Sequence, residues 1–229
     1  MEQLSNGYTI DVPTGAFPLS TDSMLLSGFV RLPRAARVLD LGSGCATLGI
    51  LLCARNPTCQ VTGVELDQRA HQAALENISR NGLEHRLSSI CADLRSIPDI
   101  PEAGSYHCCV SNPPYFSGGP SSQSHPAARR EDHCTLKELF ETAARALRYG
   151  GDFFLVHRPE RLAEAIACGA AVRLEAKRLR LVRPRADGPV SLILLSFRKG
   201  AKPGLCWEEC SLYDAKGQPT QAYRDLYHL

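Results

Sequence analysis

A glycine-rich turn, Asp40-Leu41-Gly42-Ser43-Gly44, follows a short apolar stretch of the sequence. Glycines let a ligand approach the backbone closely, and the start of a following helix offers unpaired N–H groups. Two carboxylates come after later apolar stretches, in Glu65-Leu66 and in Asp93-Leu94. Glu65 is suited to accept the two hydroxyls of a ribose, and Asp93 could accept hydrogen bonds from an exocyclic amine. Together these residues predict a nucleoside site.

The kind of nucleoside follows from the turn itself. Its spacing differs from the Gly-x-Gly-x-x-Gly of dinucleotide-binding proteins. Its first residue, Asp40, is acidic, which suits a ligand carrying an ammonium group better than a pyrophosphate. These features point to S-adenosylmethionine. The alternative is that acids at strand ends are solvated or cap the next helix, as we expect for Asp67.

A second unusual turn, Asn112-Pro113-Pro114-Tyr115, follows the apolar stretch Tyr106–Ser111. Proline has no backbone N–H and cannot continue a ladder of strand hydrogen bonds, so two prolines end the strand abruptly. The stop leaves a side-chain amide and an aromatic ring on either side of a stiff turn. The structural alternative is an ordinary strand-ending turn with a buried tyrosine.

Strand-like and helix-like segments alternate from residue 37 to about residue 168. This alternation predicts a doubly wound α/β fold with a mostly parallel seven-stranded sheet, covered on both faces and closed by an antiparallel edge hairpin. Ligands of such sheets bind beyond the carboxyl ends of the strands, where both turns lie. The predicted strands are Arg37–Leu41, Gln60–Glu65, Leu87–Ala92, Tyr106–Ser111, Asp152–His157, Lys177–Val182 and Val190–Arg198. The predicted helices are Thr47–Arg55, the segment from the Asp67 cap to Asn81, Leu136–Arg148 after a Thr135 cap, and Pro159–Ala167.

The segment Val38–Gly44 resembles the first motif of the class I methyltransferases. The resemblance implies S-adenosylmethionine as cofactor and puts Glu65 and Asp93 at the ribose and adenine positions. Ala46 stands where many members have a third glycine, a departure expected to affect packing more than binding. The cofactor-binding residues implied are Asp40, Gly42, Ser43, Gly44, Glu65, Leu66, Asp93, Leu94 and Asn112.

The Asn-Pro-Pro-Tyr turn resembles the catalytic motif of amino-group methyltransferases, whose targets are adenine N6, cytosine N4 or a glutamine amide. The resemblance implies that the Asn112 side-chain oxygen and the Pro113 carbonyl accept the two N–H bonds of the target. The lone pair of the nitrogen then faces the methyl group. Pro114 stiffens the turn, and Tyr115 offers a stacking face worth about 1–3 kcal/mol for a base.

The net charge of +2 predicts no partner, but the distribution of charge is informative. The final hairpin is basic, and two arginines, Arg129 and Arg130, lie in the long loop after the catalytic motif. The hairpin arginines could form a stripe for phosphates, or they could protect an edge strand from aggregation, and the sequence leaves both open. The predicted nucleic-acid contacts are Arg129, Arg130, Arg183 and Arg185.

Motifs across nearly the whole chain resemble the bacterial tRNA adenine-N6 methyltransferase family, which modifies adenine 37 of valine tRNA. These motifs are Phe17–Leu26, Ala128–Glu131, Arg198–Gly200 and the segment from Leu212 to Tyr227. The resemblance implies a tRNA substrate and places Thr21 and Asp22 over the cofactor.

Three alternatives stay open. A protein-glutamine methyltransferase acting on release factors shares the Asn-Pro-Pro-Tyr motif, but that family carries a helical substrate domain ahead of the core. Only 36 residues precede the first predicted strand here. A DNA methyltransferase would need a separate target-recognition domain. A non-catalytic RNA- or cofactor-binding protein would not need the Asn112–Tyr115 turn.

We expect three regions: an N-terminal extension over the cofactor site (1–36), a methyltransferase core (37–200) and an irregular C-terminal tail packed on the core (201–229). No apolar run approaches the roughly 18 residues of a membrane span, and the N-terminus lacks signal-peptide features. Ten cysteines without a Cys-x-x-Cys pair predict reduced thiols in a cytoplasmic protein. Cys206 and Cys210 could form half of a zinc site without a second half, so no metal is expected. The expected oligomeric state is a monomer or a weak homodimer.

Overall fold

The computed structural model describes residues 2–4, 7–12, 20–96, 103–113 and 134–227. A small antiparallel pair near the N-terminus consists of β1 (Glu2–Gln3) and β2 (Thr9–Ile10). The strands of the large sheet are β3 (Arg37–Leu41), β4 (Gln60–Glu65), β5 (Leu87–Cys91), β6 (Tyr106–Ser111), β7 (Leu147–His157), β8 (Leu174–Arg185), β9 (Leu192–Lys199) and β10 (Cys206–Tyr213). The helices are α1 (Thr21–Phe29), α2 (Thr47–Arg55), α3 (Gln68–Arg80), α4 (Leu136–Ala146), α5 (Leu162–Ala171) and α6 (Gln221–Tyr227).

The large sheet has the strand order β10-β8-β9-β7-β6-β3-β4-β5. Strands β5, β4, β3, β6 and β7 are parallel, β9 is antiparallel to both of its neighbours, and β10 is parallel to β8. The carboxyl ends of all strands except β9 therefore lie at one edge of the sheet. The chain reverses its direction of winding between β3 and β6, and this switch point is where ligands of such sheets bind. The predicted α/β fold is confirmed.

Apolar side chains cover both faces of the sheet because neighbouring residues of a strand point to opposite sides. Val38 belongs to the cluster on the face of α1 and α2, and Leu39 belongs to the cluster on the face of α4 and α5. On the second face, Phe140 packs edge-on against Phe153 and Phe197, with ring centres 5.1 and 4.9 Å apart. Burial on both sides explains why these strands read as continuous apolar runs.

Two predicted helix starts are confirmed by their caps. The Asp67 carboxylate accepts from the backbone N–H of Arg69 at 2.9 Å, ahead of α3. The Thr135 hydroxyl accepts from the N–H of Glu138, whose side chain accepts from the N–H of Thr135 in return. This reciprocal pair is a capping box, which satisfies two N–H groups that the first turn leaves unpaired.

The sheet has eight strands where seven were predicted, and the basic hairpin is not at its edge. Strand β10 comes from the tail that was expected to be irregular, and it pairs with the outer side of β8. Trp207 and the neighbouring Glu208 and Glu209 are all exposed, so β10 lacks the alternation of buried and exposed residues that marks a strand in sequence. Strand β10 forms because the fold brings it next to β8, with which it pairs.

The boundary between α4 and β7 also differs from the prediction. The helix was expected to continue to Arg148 and to end at Tyr149-Gly150-Gly151. Instead Leu147 already has an extended backbone and pairs with Tyr106, and Gly150 lies inside β7 at a φ of 76°. A glycine at positive φ marks a strand irregularity here and not a helix end. No helix in the described ranges combines the length and apolar character that a membrane span requires.

Candidate active site

The glycine-rich turn is folded against the end of β4. The backbone N–H groups of Gly42 and Ser43 both donate to the Val64 carbonyl at 3.0 Å. Gly42 and Gly44 have φ values of 75° and 54°, in the region that favours glycine. A Cβ added at either position would meet no described atom within 4 Å. The turn therefore presents an open backbone at the carboxyl edge of the sheet.

Gly63 in β4 makes room for the turn. A Cβ at this position would lie 2.6 Å from the Ser43 hydroxyl oxygen and 2.8 Å from its Cβ. Real Cβ atoms do not approach other atoms so closely, so a side chain at residue 63 would displace Ser43. The need for glycine at residue 63 was not recognised from the sequence, because Gly63 and Ser43 meet only across the β3–β4 ladder.

Glu65 fixes the end of the turn. One carboxylate oxygen accepts from the Gly44 N–H at 2.8 Å, and the other accepts from the Asp67 N–H at 2.8 Å. Each carboxylate oxygen has a second lone pair, so the side chain can hold the loop and still accept from ligand hydroxyls. Beside it, Leu66 is 43% exposed and offers an apolar surface at the same strand end. The contacts of both residues with a ribose and a base remain predictions.

Asp40 is the most electrostatically unusual group of the site. It is 1% exposed, and its Oδ2 has no hydrogen-bond partner among the described residues. Burial raises the pKa of Asp40 from 3.8 to about 8, and the negative charge of Glu65 acts in the same direction. The buried hydroxyl of Ser43 also lacks a partner in this part of the chain. Buried polar atoms without partners are costly, and a cationic, hydrogen-bonding ligand would satisfy both. These residues fit the ammonium group of S-adenosylmethionine.

Asn112 lies directly beside the turn. Asp40 in β3 pairs with Val110 in β6, and two residues later, just past the two strand ends, come Gly42 and Asn112. The Ser111 hydroxyl donates to the Leu41 carbonyl at 2.7 Å and ties the two strand ends together. Asn112 and Pro113 are both half-buried. Of the other predicted contacts, Pro114, Tyr115, Arg129 and Arg130 lie outside the described residues.

Helix α1 reaches the same site, although no helix was predicted there. The Asn112 Nδ2 donates to the Ser23 Oγ at 2.9 Å, and Ser20 caps the helix by accepting from the Ser23 N–H. Thr21 and Asp22 form the first turn of α1 and are therefore close to Asn112 in the fold. Their contact with the cofactor remains a prediction.

Asp93 and Leu94 follow β5, at the same edge. In this structure the Asp93 carboxylate accepts from the guanidinium and the backbone N–H of Arg95. Such an exposed ion pair contributes little to stability and can exchange for a ligand contact. Leu94 accepts from the Thr142 hydroxyl through its carbonyl at 3.0 Å, which fixes the chain after β5.

Arg183 and Arg185, predicted as RNA contacts, are engaged within the protein. Arg183 donates to the Gly188 carbonyl at 2.7 Å and pairs with Glu209 at 3.5 Å. Arg185 pairs with Asp187 and donates to the Ala215 carbonyl at 2.9 Å. Both side chains thus shape the loops beside them, and contact with RNA remains a prediction.

Comparisons with known proteins show the family of the chain. Residues 20–171 match the family model of the methyltransferase small domain. The chain is 30% identical to a tRNA1(Val) (adenine(37)-N6)-methyltransferase of Aeromonas hydrophila over 224 residues, covering 96% of this chain and 92% of that protein. It is also 30% identical to the Bacteroides fragilis protein of the same name, over 80% of this chain and 77% of that one.

Solved structures show the same fold. The crystal structure of a predicted O-methyltransferase from Agrobacterium tumefaciens superposes with a TM-score of 0.76, at 23% identity, over 90% of this chain and 95% of that chain. The family model shows that the chain belongs to the methyltransferase small domain family. Its curated relatives show that it belongs to the tRNA1(Val) (adenine(37)-N6)-methyltransferase family.

Proposed function

We propose that the chain is an S-adenosylmethionine-dependent methyltransferase that modifies the N6 amine of an adenine in tRNA, at position 37 beside the anticodon. The names of its relatives in Aeromonas hydrophila and Bacteroides fragilis support this substrate. One structural observation carries the proposal. Asn112, the predicted holder of an amino group, follows the end of β6 just as Gly42 follows the end of the neighbouring β3, two residues after the paired Val110 and Asp40.

The chain's own residues hold the cofactor at the turn. Asp40 and Ser43 would accept from its ammonium group, Glu65 from its ribose, and Leu66 would cover its base. S-adenosylmethionine, when bound, supplies an electrophilic methyl group on a sulfonium centre. The open backbone at Gly42 and Gly44 lets the ligand approach closely.

Asn112 and Pro113 hold the target amine. The adenine N6 lone pair is delocalised into the ring, so the free amine is a poor nucleophile. Two acceptors, the Asn112 Oδ1 and the Pro113 carbonyl, bind its two N–H bonds and favour a more tetrahedral nitrogen. Positioning of this kind can contribute several kcal/mol. The chain needs no strong general base before transfer, because the amine becomes acidic once it is alkylated.

The tRNA would approach the carboxyl edge of the sheet. Arg183 and Arg185 lie at the carboxyl end of β8, on the same edge as Asn112, and three strand spacings, about 14 Å, separate β8 from β6. Arg129 and Arg130, which follow the catalytic motif in the sequence, would add positive charge. An adenine in an anticodon loop is already partly unstacked, so a small enzyme can extrude it. We expect the protein to act in the cytoplasm, where tRNA is found, and to be a monomer or a weak homodimer.

One experiment tests the function against its main rival. The protein is incubated with labelled S-adenosylmethionine and bulk tRNA, ribosomal RNA or release factor, and the digested product is identified by mass. We expect N6-methyladenosine in tRNA. Methylglutamine in the release factor would instead make the chain a protein-glutamine methyltransferase.

The Asn112→Ala variant tests the catalytic role of this residue. It should lower turnover at least about a hundredfold while cofactor affinity changes by less than about threefold, because the lost contact is to the target amine. An unchanged rate would remove Asn112 from catalysis. A loss of cofactor binding alone would assign the residue to the cofactor site.

A further inference from the structure

The nitrogen of the Asn112 carboxamide has a buried partner on another element. Its Nδ2 donates to the Ser23 Oγ at 2.9 Å, and Ser23 is 5% exposed. The two residues are 89 positions apart in sequence, so only the fold brings them together. Nothing in the motif around Asn112 indicates that a helix hydroxyl completes it.

The identity of this partner matters because the two ends of a carboxamide are chemically opposite. Only the oxygen accepts hydrogen bonds, and only the nitrogen donates them. A target amine needs the oxygen. If the side chain rotated by 180°, Asn112 would present N–H groups to the N–H groups of the substrate. A partner that accepts from Nδ2 therefore selects the productive orientation.

Ser23 is suited to accept. Its Oγ lies 3.5 Å from the Ser20 Oγ. The Ser23 hydroxyl can donate its hydrogen bond to that oxygen, which leaves a lone pair of the Ser23 Oγ to accept from Asn112. The backbone N–H of Ser23 donates to the same Ser20 oxygen at 3.3 Å. These contacts fix the hydroxyl at the first turn of α1.

Helix α1 packs tightly in the core, so the position of the Ser23 hydroxyl is fixed. Met24, Leu26 and Phe29 are at most 3% exposed and belong to the core cluster that includes α2. Phe29 packs edge-on against Phe154 of β7, with ring centres 5.9 Å apart. Supporting groups on a packed element hold a reacting group more accurately than groups on a loop do.

We propose that Ser23 is a positioning residue for amino-group methylation: its hydroxyl accepts from Asn112 Nδ2 and keeps Asn112 Oδ1 turned toward the target nitrogen. This role rests on the proposed function. Ser23 does not touch the reacting atoms, and it acts only through Asn112.

The test compares Ser23→Ala and Ser23→Thr with Ser27→Ala. Ser27 lies one turn further along α1, is 2% exposed and makes its own hydrogen bonds, so its loss controls for removing a buried hydroxyl from this helix. We expect Ser23→Ala to lower kcat about ten- to a hundredfold, with the cofactor Kd changed by less than about twofold. Ser23→Thr, which keeps the hydroxyl, should restore most of kcat. Ser27→Ala should leave kcat within about twofold of the parent.

A second measurement detects the hydrogen bond of the Asn112 side chain and does not depend on enzyme activity. Hydrogen exchange of the Asn112 side-chain amide, followed by nitrogen-15 NMR, should be faster in Ser23→Ala than in the parent and unchanged in Ser27→Ala. Suppose that exchange is faster in Ser23→Ala but the parent protein does not methylate tRNA. This result would refute the proposed function, although the Ser23–Asn112 hydrogen bond would stand. Unchanged exchange, or a Ser23→Ala kcat within twofold of the parent, would overturn the role of Ser23.

Discussion

At the scale of single residues, the site combines groups that are unfavourable in the protein alone. Asp40 is a carboxyl without a partner for one oxygen, and Ser43 is a buried hydroxyl without one in the described structure. Neither stabilises the folded chain. A binding site commonly contains such groups, because the ligand provides the missing contacts and gains affinity and specificity from them.

The raised pKa of Asp40 makes stability depend on pH. Between its unfolded value of 3.8 and its folded value of about 8, the native protein binds one more proton than the unfolded chain. The free energy of unfolding should therefore fall as pH rises through this window, by about 1.4 kcal/mol per pH unit from this group. Asp40→Asn should remove that slope. Denaturant titrations of both proteins between pH 5 and pH 8, without cofactor, measure the difference, and parallel curves would show that Asp40 does not titrate there.

Gly63 should be intolerant of even one methyl group. Gly63→Ala puts a Cβ against the Ser43 side chain and should cost about 1–3 kcal/mol of stability and weaken cofactor binding. Adding Ser43→Gly should relieve the clash and recover stability. Gly28→Ala, at an exposed helix position with no atom closer than 3.8 Å, is the control and should be neutral or slightly stabilising. Equal melting temperatures for the two alanine variants would contradict the close packing at Gly63.

At the scale of elements, the N-terminal segment is held by Asn77 of α3 and by Asn81, the residue that ends this helix. Asn81 accepts from the Thr9 N–H and donates to its carbonyl, and Asn77, one turn earlier, does the same for Asp11. Asn77 also donates to the carbonyl of Cys45, in the loop after the glycine-rich turn. Since β2 also pairs with β1, these asparagine side chains serve as a second set of hydrogen-bond partners for the segment.

This arrangement predicts that the N-terminal segment supports the cofactor site. Asn81→Ala removes only contacts to the segment and to α3 itself, so it should loosen residues 9–12 without disturbing the loop directly. We expect a severalfold weaker cofactor Kd and a loss of about 1–2 kcal/mol of stability. Calorimetric titration with S-adenosylmethionine measures the cofactor Kd. Gln72→Ala, on the exposed side of α3, is the control. Equal cofactor affinities for the two variants would show that the N-terminal segment does not support the cofactor site.

Elements that are specified locally could be predicted from the sequence, and elements specified by distant partners could not. Helix α3 carries its own cap at Asp67 and a stop at Gly82, and its bounds were predicted closely. Helix α1 has a capping serine, but residues 23–27 are all buried, so no amphipathic pattern marks it. The same holds for the site. Glu65 and Asn112 were predicted from residue type and position, whereas the Ser23–Asn112 bond depends on the packing of α1.

At the scale of the whole molecule, the C-terminal tail links the sheet to helix α1. Glu208 of β10 pairs with Arg178 and Arg180 of β8, both at 3.0 Å. These two guanidinium groups lie over the ring of Phe29, at 4.2 and 5.2 Å from its centre, and Arg178 donates to the Phe29 carbonyl. The basic stripe of β8 is therefore partly neutralised by its own tail, which argues for a structural role of these two arginines.

Glu208 should consequently stabilise the fold more than its neighbour. Glu208→Ala leaves two arginines stacked on Phe29 without their anion, and we expect a loss of about 1 kcal/mol, since the carboxylate is partly exposed. Glu209→Ala removes one longer pair, to Arg183, and should change stability by less than about 0.5 kcal/mol. Because these are charge interactions near the surface, the difference between the two variants should shrink in 1 M salt. Denaturant titrations at low and high salt test this, and a salt-independent difference would mean that packing, and not charge, joins the tail to the core.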